Sequence, residues 1–189
     1  MKDLVISYLE KSAALKKDVA ENQAEVVSSM IDVITSCYRK KGKVLVMGNG
    51  GSASDAQHFA AELVGRFCLE REALPAIALT ANTSTMTAIA NDYGYEDVFV
   101  RQVQAYLEDK DVVLGISTSG SSKNVIKALT FAKDRGVPVL GLTGLPGDPL
   151  CSLSDHALRV PSVHTSLVQE VHIAVLHIIC KVVEENLFR

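Results

Sequence analysis

Short apolar runs without alternation recur along this chain. Each is closed by glycine or a polar turn and followed by residues at helical spacing. Val44-Leu45-Val46-Met47 stops at Gly48-Asn49-Gly50-Gly51-Ser52, and Leu74–Leu79, Asp111–Ile116 and Val137–Leu142 repeat the pattern. A short fifth run covers His156–Val160. Continuous apolar runs of this length are strands covered on both faces. The segments between them read as helices: Ala53 up to Gly65, Ser84–Ala90 followed by the polar turn Asn91–Gly94, Asp97–Leu107, and Lys123–Asp134 with Gly136 as its cap. A last helix is expected over Ser166–Glu185, and two more, over 2–20 and Ala24–Arg39, precede the first strand, the second ended by Gly42. Strands alternating with helices predict an α/β, flavodoxin-like three-layer sandwich around a five-stranded parallel sheet. The expected organisation is one domain over 1–189, with N-terminal helices in 1–41 and the α/β core and C-terminal helix in 42–189. Two long helices ahead of the first strand carry more apolar surface than one sheet edge covers, which predicts a partner subunit.

Composition narrows the class. No apolar run reaches the ~18 residues of a bilayer span, and Met1-Lys2-Asp3-Leu4-Val5 does not read as a secretion signal, so no membrane association is expected. The formal net charge of -3 argues against nucleic-acid binding through a basic face. Cys37, Cys68, Cys151 and Cys180 form no C-x-x-C pair, which suits free thiols in a cytoplasmic protein.

Two turns carry candidate chemistry. Gly48-x-Gly50-x-x-Ala53 has the spacing of a dinucleotide fingerprint, but Leu79 is followed by Thr80-Ala81-Asn82 where an acidic residue would grip a ribose. The turn is therefore read as a loop for a smaller ligand. Ser117-Thr118-Ser119-Gly120-Ser121-Ser122 puts five hydroxyls around one glycine at a helix N-terminus. One hydroxyl suffices for a cap; five, with free backbone N–H groups, can surround a phosphate. His58 and Glu62 stand four residues apart, one turn from each other on one helix face. Glu62 with His177 supplies a general acid/base pair near neutral pH. Arg66, four residues further, is expected to keep that carboxylate ionised. His58, Glu62, Gln169 and His177 also make a donor set for a divalent metal such as zinc. Gln169 and His177 are eight residues apart, about 12 Å of helix rise, so a site using both is expected to draw them from neighbouring subunits.

These motifs in this order resemble the phosphoheptose isomerase family of the sugar isomerase (SIS) domain superfamily. The resemblance rests on Gly48-Asn49-Gly50-Gly51-Ser52, Gln57-His58 through Glu62 to Gly65-Arg66, Asn91–Gly94, Gly115–Gly120 and Gln169-Glu170 with His172 and His177, and it spans essentially the whole chain. It implies a homotetramer with active sites at subunit interfaces and one zinc per subunit. It also implies conversion of sedoheptulose 7-phosphate to D-glycero-D-manno-heptose 7-phosphate. On matching positions, Ser117, Thr118, Ser119 and Ser122 would hold the phosphate. Asn49, Gly50, Gly51, Ser52, Asn91 and Asp92 would line the sugar, with Glu62, Arg66 and Gln169 also in reach of it. Glu62 and His177 would exchange protons, and His58, Glu62, Gln169 and His177 would bind zinc. Where family members often carry Arg-Ile-Gln-Glu, this chain has Leu167-Val168-Gln169-Glu170. The competing readings are a SIS protein that binds a replication initiator, a sugar-phosphate-sensing regulator and an isomerase of another sugar phosphate. Retention of both Glu62 and His177 favours an enzyme over the first of these.

Overall fold

A computed structural model describes all residues, 1–189. Five strands, β1 (Val44–Gly48), β2 (Ala76–Ala78), β3 (Val112–Ser117), β4 (Val139–Thr143) and β5 (His156–Arg159), form one all-parallel sheet in the order β2-β1-β3-β4-β5. That is the flavodoxin-like order, in which the chain reverses direction across the sheet between β1 and β3. β1, β3 and β4 are buried along their whole length, as their unbroken Val, Leu and Ile content requires. β2 is shorter than Leu74–Leu79 and only half-buried, because it is an edge strand with a neighbour on one side.

Alternate strand residues feed two cores. Val44, Val46, Val112, Leu114, Leu140 and Leu142 face α2 (Ala24–Arg39), α3 (Gly51–Val64) and α8 (Thr165–Phe188). Leu45, Met47, Val113 and Val139 face α5 (Val100–Tyr106) and α6 (Lys123–Asp134). The remaining helices are α1 (Lys2–Asn22), α4 (Thr83–Tyr93), which follows β2, and the four-residue α7 (Leu150–Leu153) before β5. The single helix expected over Asp97–Leu107 divides into a 3₁₀ turn, Tyr95–Asp97, and α5. The polar turn expected at Asn91–Gly94 is mostly helix: Asn91, Asp92 and Tyr93 complete α4 before Gly94 turns the chain out at φ 95°.

Gly136 caps α6 as expected: it adopts φ 73° and its N–H donates to the Lys133 carbonyl, while Val137 N–H donates to Ala132. Gly42 does not end α2 by turning left-handed. Lys41 takes the positive φ of 59°, and Gly42 is small because a Cβ there would stand 2.1 Å from the Lys110 carbonyl oxygen.

Helix α8 is long and apolar enough to cross a bilayer by length and composition, and half of that stretch is buried inside the fold. Val168, Val171, Val175, Ile179 and Val183 all pack into the core. Helix α1 docks on α8 through Glu170, which accepts from Tyr8 and Ser12 and pairs with Lys16 at 3.7 Å. Its Leu4, Val5, Ile6 and Leu9 remain exposed.

Candidate functional site

Strand order places the site. The crevice outside the carboxyl ends of β1 and β3 is where the following connections leave in opposite directions, and both motif loops open into it. After β1, Gly50 adopts φ 58° and α3 starts at Gly51, its first turn closed by Ser52 N–H donating to the Asn49 carbonyl and Ala53 N–H to that of Gly50. After β3, the hydroxyl turn leads into α6. Ser117 and Ser122 hydroxyls stand 2.8 Å apart, Ser119 and Ser121 2.9 Å, and the Ser122 N–H donates to Ser117 Oγ at 3.4 Å. Between the loops lies a cavity of about 270 Å³ lined by Asn49, Gly50, Gly51, Ser52, Ser117, Thr118 and Ser122, with Ile116 at its floor. Thr165 and Gln169, from the start of α8, complete the wall. Apart from Ile116 the lining residues are glycine or carry an amide or hydroxyl, and none has an ionisable side chain. A phosphate there would be held by hydroxyls and main-chain N–H groups at helix N-termini.

The glycine turn is held by a residue the motifs do not reveal. Asn124, buried in the first turn of α6, exchanges reciprocal amide bonds with Asn49, each 2.9 Å, and its Oδ1 also accepts from Val125 N–H. Tyr95 OH donates to Asn49 Oδ1 at 3.0 Å. Sequence alone offers no signal for this link, because Asn124 reads as an ordinary helix-start residue and Tyr95 as an aromatic in a loop. Asn91 and Asp92 lie exposed on the last turn of α4, hydrogen-bonded to each other at 2.9 Å and outside the cavity lining. Tyr95 ties the segment that follows them to the glycine turn. Asn82, near the position where a dinucleotide site would carry an acid, instead caps α4 by accepting from Thr85 N–H.

The titratable residues form a second cluster on α3 and α8. His58 Nε2 meets Glu62 Oε1 at 3.0 Å and His177 Nε2 at 3.2 Å, and the Phe67 ring stacks on His177 at 5.6 Å. Candidate ligand atoms of His58, Glu62 and His177 all lie within 4.8 Å of one another, so two imidazoles and a carboxylate fit one zinc ion. Gln169 stands elsewhere in the same copy, its amide against Gly51 in the cavity. Glu62 lies eleven residues beyond Gly51, about 16 Å of helix. Within one chain, the hydroxyl cradle and the acid/base cluster are therefore separate places. Arg66 does not flank Glu62: α3 ends at Val64, and the exposed Arg66 reaches Glu70 at 3.7 Å.

Two further ionisable groups sit nearby. Asp55, one turn before His58, has a buried Oδ2 with no partner, and burial pushes its carboxyl up to about 6 while His58 opposes the shift. His172 is fully buried with neither ring nitrogen in hydrogen-bonding geometry; burial pushes it down to about 4, offset only in part by the Thr143 backbone. Leu167 is buried in the first turn of α8.

Known proteins match this chain along its length. A family model described as SIS domain matches residues 7–144. A phosphoheptose isomerase from Pelobacter propionicus is 50% identical over 188 residues, covering 100% of both chains. One from Helicobacter pylori is 51% identical, covering 95% of this chain and 93% of its own. Among solved structures, a phosphoheptose isomerase from Neisseria gonorrhoeae superposes with a TM-score of 0.92 at 39% identity, covering 97% of this chain and 98% of that one. With the glycine turn, the hydroxyl cradle and the His58–Glu62–His177 cluster in place on this fold, the chain belongs to the phosphoheptose isomerase family of SIS-domain proteins.

Proposed function

We infer that this chain, one SIS domain over 1–189, isomerises sedoheptulose 7-phosphate to D-glycero-D-manno-heptose 7-phosphate, the entry to bacterial heptose synthesis. The observation that carries the reading is the pairing of a cation-free phosphate cradle with a Glu–His cluster. Ser117, Thr118, Ser119 and Ser122 hold the phosphate. Asn49, Gly50, Gly51 and Ser52 orient the sugar, with Gln169 beside them and Asn91, Asp92 and Arg66 at the entrance. Glu62 removes a proton from C1 of the ketose, and the electron pair forms the C1–C2 double bond of an enediol. Glu62 then returns the proton at C2. His177 gives a proton to the oxygen on C2 and takes one from the oxygen on C1, so atoms and charge balance. Glu62 engages His58 through Oε1, so Oε2 is the oxygen with room for the substrate proton.

His58, Glu62 and His177 would hold a zinc ion, with Gln169 joining from a neighbouring copy. Bound there, zinc would stabilise the negative charge developing on the substrate oxygens. The separation of cradle and acid/base cluster within one copy supports a homotetramer whose active sites combine the two from neighbouring subunits. The exposed apolar residues of α1 and an apolar groove of about 660 Å³ among α1, α2 and α8 support association as well. The cytoplasm is the compartment we propose.

The test is turnover of sedoheptulose 7-phosphate by the purified protein, after chelation and again with zinc, beside Glu62→Gln. The variant should fold and assemble normally and lose about 10²–10⁴ in kcat, the usual worth of a positioned acid/base. Turnover by the variant at the wild-type rate would remove Glu62 from the chemistry. An inactive wild type under every metal condition would remove the isomerase reading.

A further inference from the structure

Arg71 and Glu184 form a buried ion pair, each side chain 1% exposed, with Nε to Oε1 at 2.8 Å. Neither belongs to the cradle or to the acid/base cluster, yet their remaining bonds all go to the backbone around that cluster. Arg71 Nη2 donates to the Glu62 carbonyl at 2.8 Å. Its Nη1 donates to the carbonyls of Leu63 at 2.8 Å, Gly65 at 3.3 Å and Glu72 at 2.9 Å. These include carbonyls that the end of α3 leaves without a helical partner, and a cation at that pole is favourable. Glu184 accepts the N–H groups of Phe67 and Cys68, each at 2.8 Å, and of Leu69 at 3.1 Å. The Phe188 ring covers the guanidinium at 5.9 Å. Burial raises the Glu184 carboxyl, but the amides of Cys68, Phe67 and Leu69, with Arg71, outweigh it and hold it below the ordinary range.

The bonds connect the two helices that bear the chemistry. Glu184 lies seven residues after His177, two turns along the same face of α8. Arg71 grips the peptide of Glu62 itself. Phe67, whose N–H is fixed by Glu184, stacks on the His177 ring. We propose that Arg71 and Glu184 are positioning residues for the isomerase: they set the distance and angle between Glu62 on α3 and His177 on α8, and so the geometry of the His58–Glu62–His177 cluster. This rests on the isomerase reading for its kinetic consequence. Its geometric content stands on the cluster alone.

Arg71→Lys separates positioning from charge. Lysine still neutralises Glu184, but a single ammonium cannot replace a planar fork that reaches four carbonyls as well. We expect a cooperatively folded variant whose affinity for zinc alone, measured by calorimetry, falls about 10–100-fold, the usual cost of losing an outer support of a metal ligand. We expect kcat to fall about tenfold or more, with KM for sedoheptulose 7-phosphate within about twofold, since the cradle is untouched. A folded variant with wild-type zinc affinity and kcat would overturn the inference. So would a loss appearing only in KM. If Arg71→Lys does not fold, Glu184→Gln is read by the same criteria; failure of both to fold would make the pair a folding element only. A wild type that binds zinc without turning over substrate removes the isomerase reading and leaves the zinc comparison to decide the inference. If it does neither, both fall.

Discussion

Gly51, at the start of α3, lies against the Gln169 amide, and replacing it by alanine separates function from stability. A Cβ at this position would stand 2.4 Å from Nε2 of Gln169 and 2.9 Å from its Cδ. Ordinary non-bonded contact needs ~3.5 Å, so the amide must retreat by about 1 Å. The retreat is cheap for the fold, because only the end of a flexible side chain moves. The backbone also accepts alanine, since Gly51 is the first residue of α3 and its φ is not left-handed. Fewer conformations in the unfolded chain then favour the variant by up to about 1 kcal/mol. For function the same movement is costly. Losing one neutral hydrogen bond from Gln169 to substrate accounts for about 0.5–1.5 kcal/mol. A displacement of 1 Å in a reacting site reaches about 10²-fold in rate. Gly51→Ala should therefore melt at or slightly above the wild-type temperature while kcat/KM with sedoheptulose 7-phosphate falls about 10- to 100-fold. Calorimetry and steady-state kinetics on one preparation measure both. Wild-type kcat/KM, or a lower melting temperature, would refute the reasoning about this contact.

Other consequences are equally direct. Ser122 occupies the N-cap position of α6 without a side-chain cap bond, so Ser122→Asp removes no cap and stability should hold. Its carboxylate would face the substrate phosphate inside the cradle, where each like-charge pair at 4 Å opposes binding by about 4 kcal/mol at an effective dielectric of ~20; KM should rise more than a hundredfold while melting is unchanged. An unaltered KM would place the phosphate elsewhere. His172 has an ordinary value of 6.5 and about 4 when folded. Between those values the unfolded chain binds a proton that the folded one refuses. Stability is thus fully present above about 6.5 and is lost as pH falls toward 4, by up to about 3 kcal/mol from this residue. Urea unfolding of His172→Gln should show a shallower decline over that window than wild type, and parallel curves would acquit His172.

Much of this architecture is written locally. Unbroken apolar runs mark β1, β3 and β4 because helices cover both faces of these strands and leave no solvent face to encode. β2 misleads at its ends for the opposite reason, since an edge strand can stop pairing at Ala78 while its apolar pattern continues to Leu79. The loops after β1 and β3 are legible because glycine and hydroxyl turns at helix starts have few other uses. What escapes local reading is contact across the fold. Arg66 sits four residues after Glu62, yet α3 has already ended, stopped by a cap that Arg71 supplies from a charged stretch resembling solvated surface. Glu184 reads as one of two adjacent glutamates near the C-terminus, and nothing in Glu184-Glu185 says that one is buried and the other is not. Asn124 is likewise defined by its partner across the crevice. Gln169 and His177 share a helix face of long reach, and their separation was legible from helix rise alone.

Apart from Ile116 the cavity's walls are amide, hydroxyl and peptide, while the imidazoles of His58 and His177 and the Glu62 carboxylate belong to the other cluster. Those walls can gain or lose no proton between mildly acid and mildly alkaline solution. The affinity of this cavity for a sugar phosphate accordingly follows the ionisation of the ligand, whose second phosphate proton leaves near pH 6. Recognition thus answers to the titration of the guest: acid weakens binding by protonating the phosphate and leaves the cavity walls as they were.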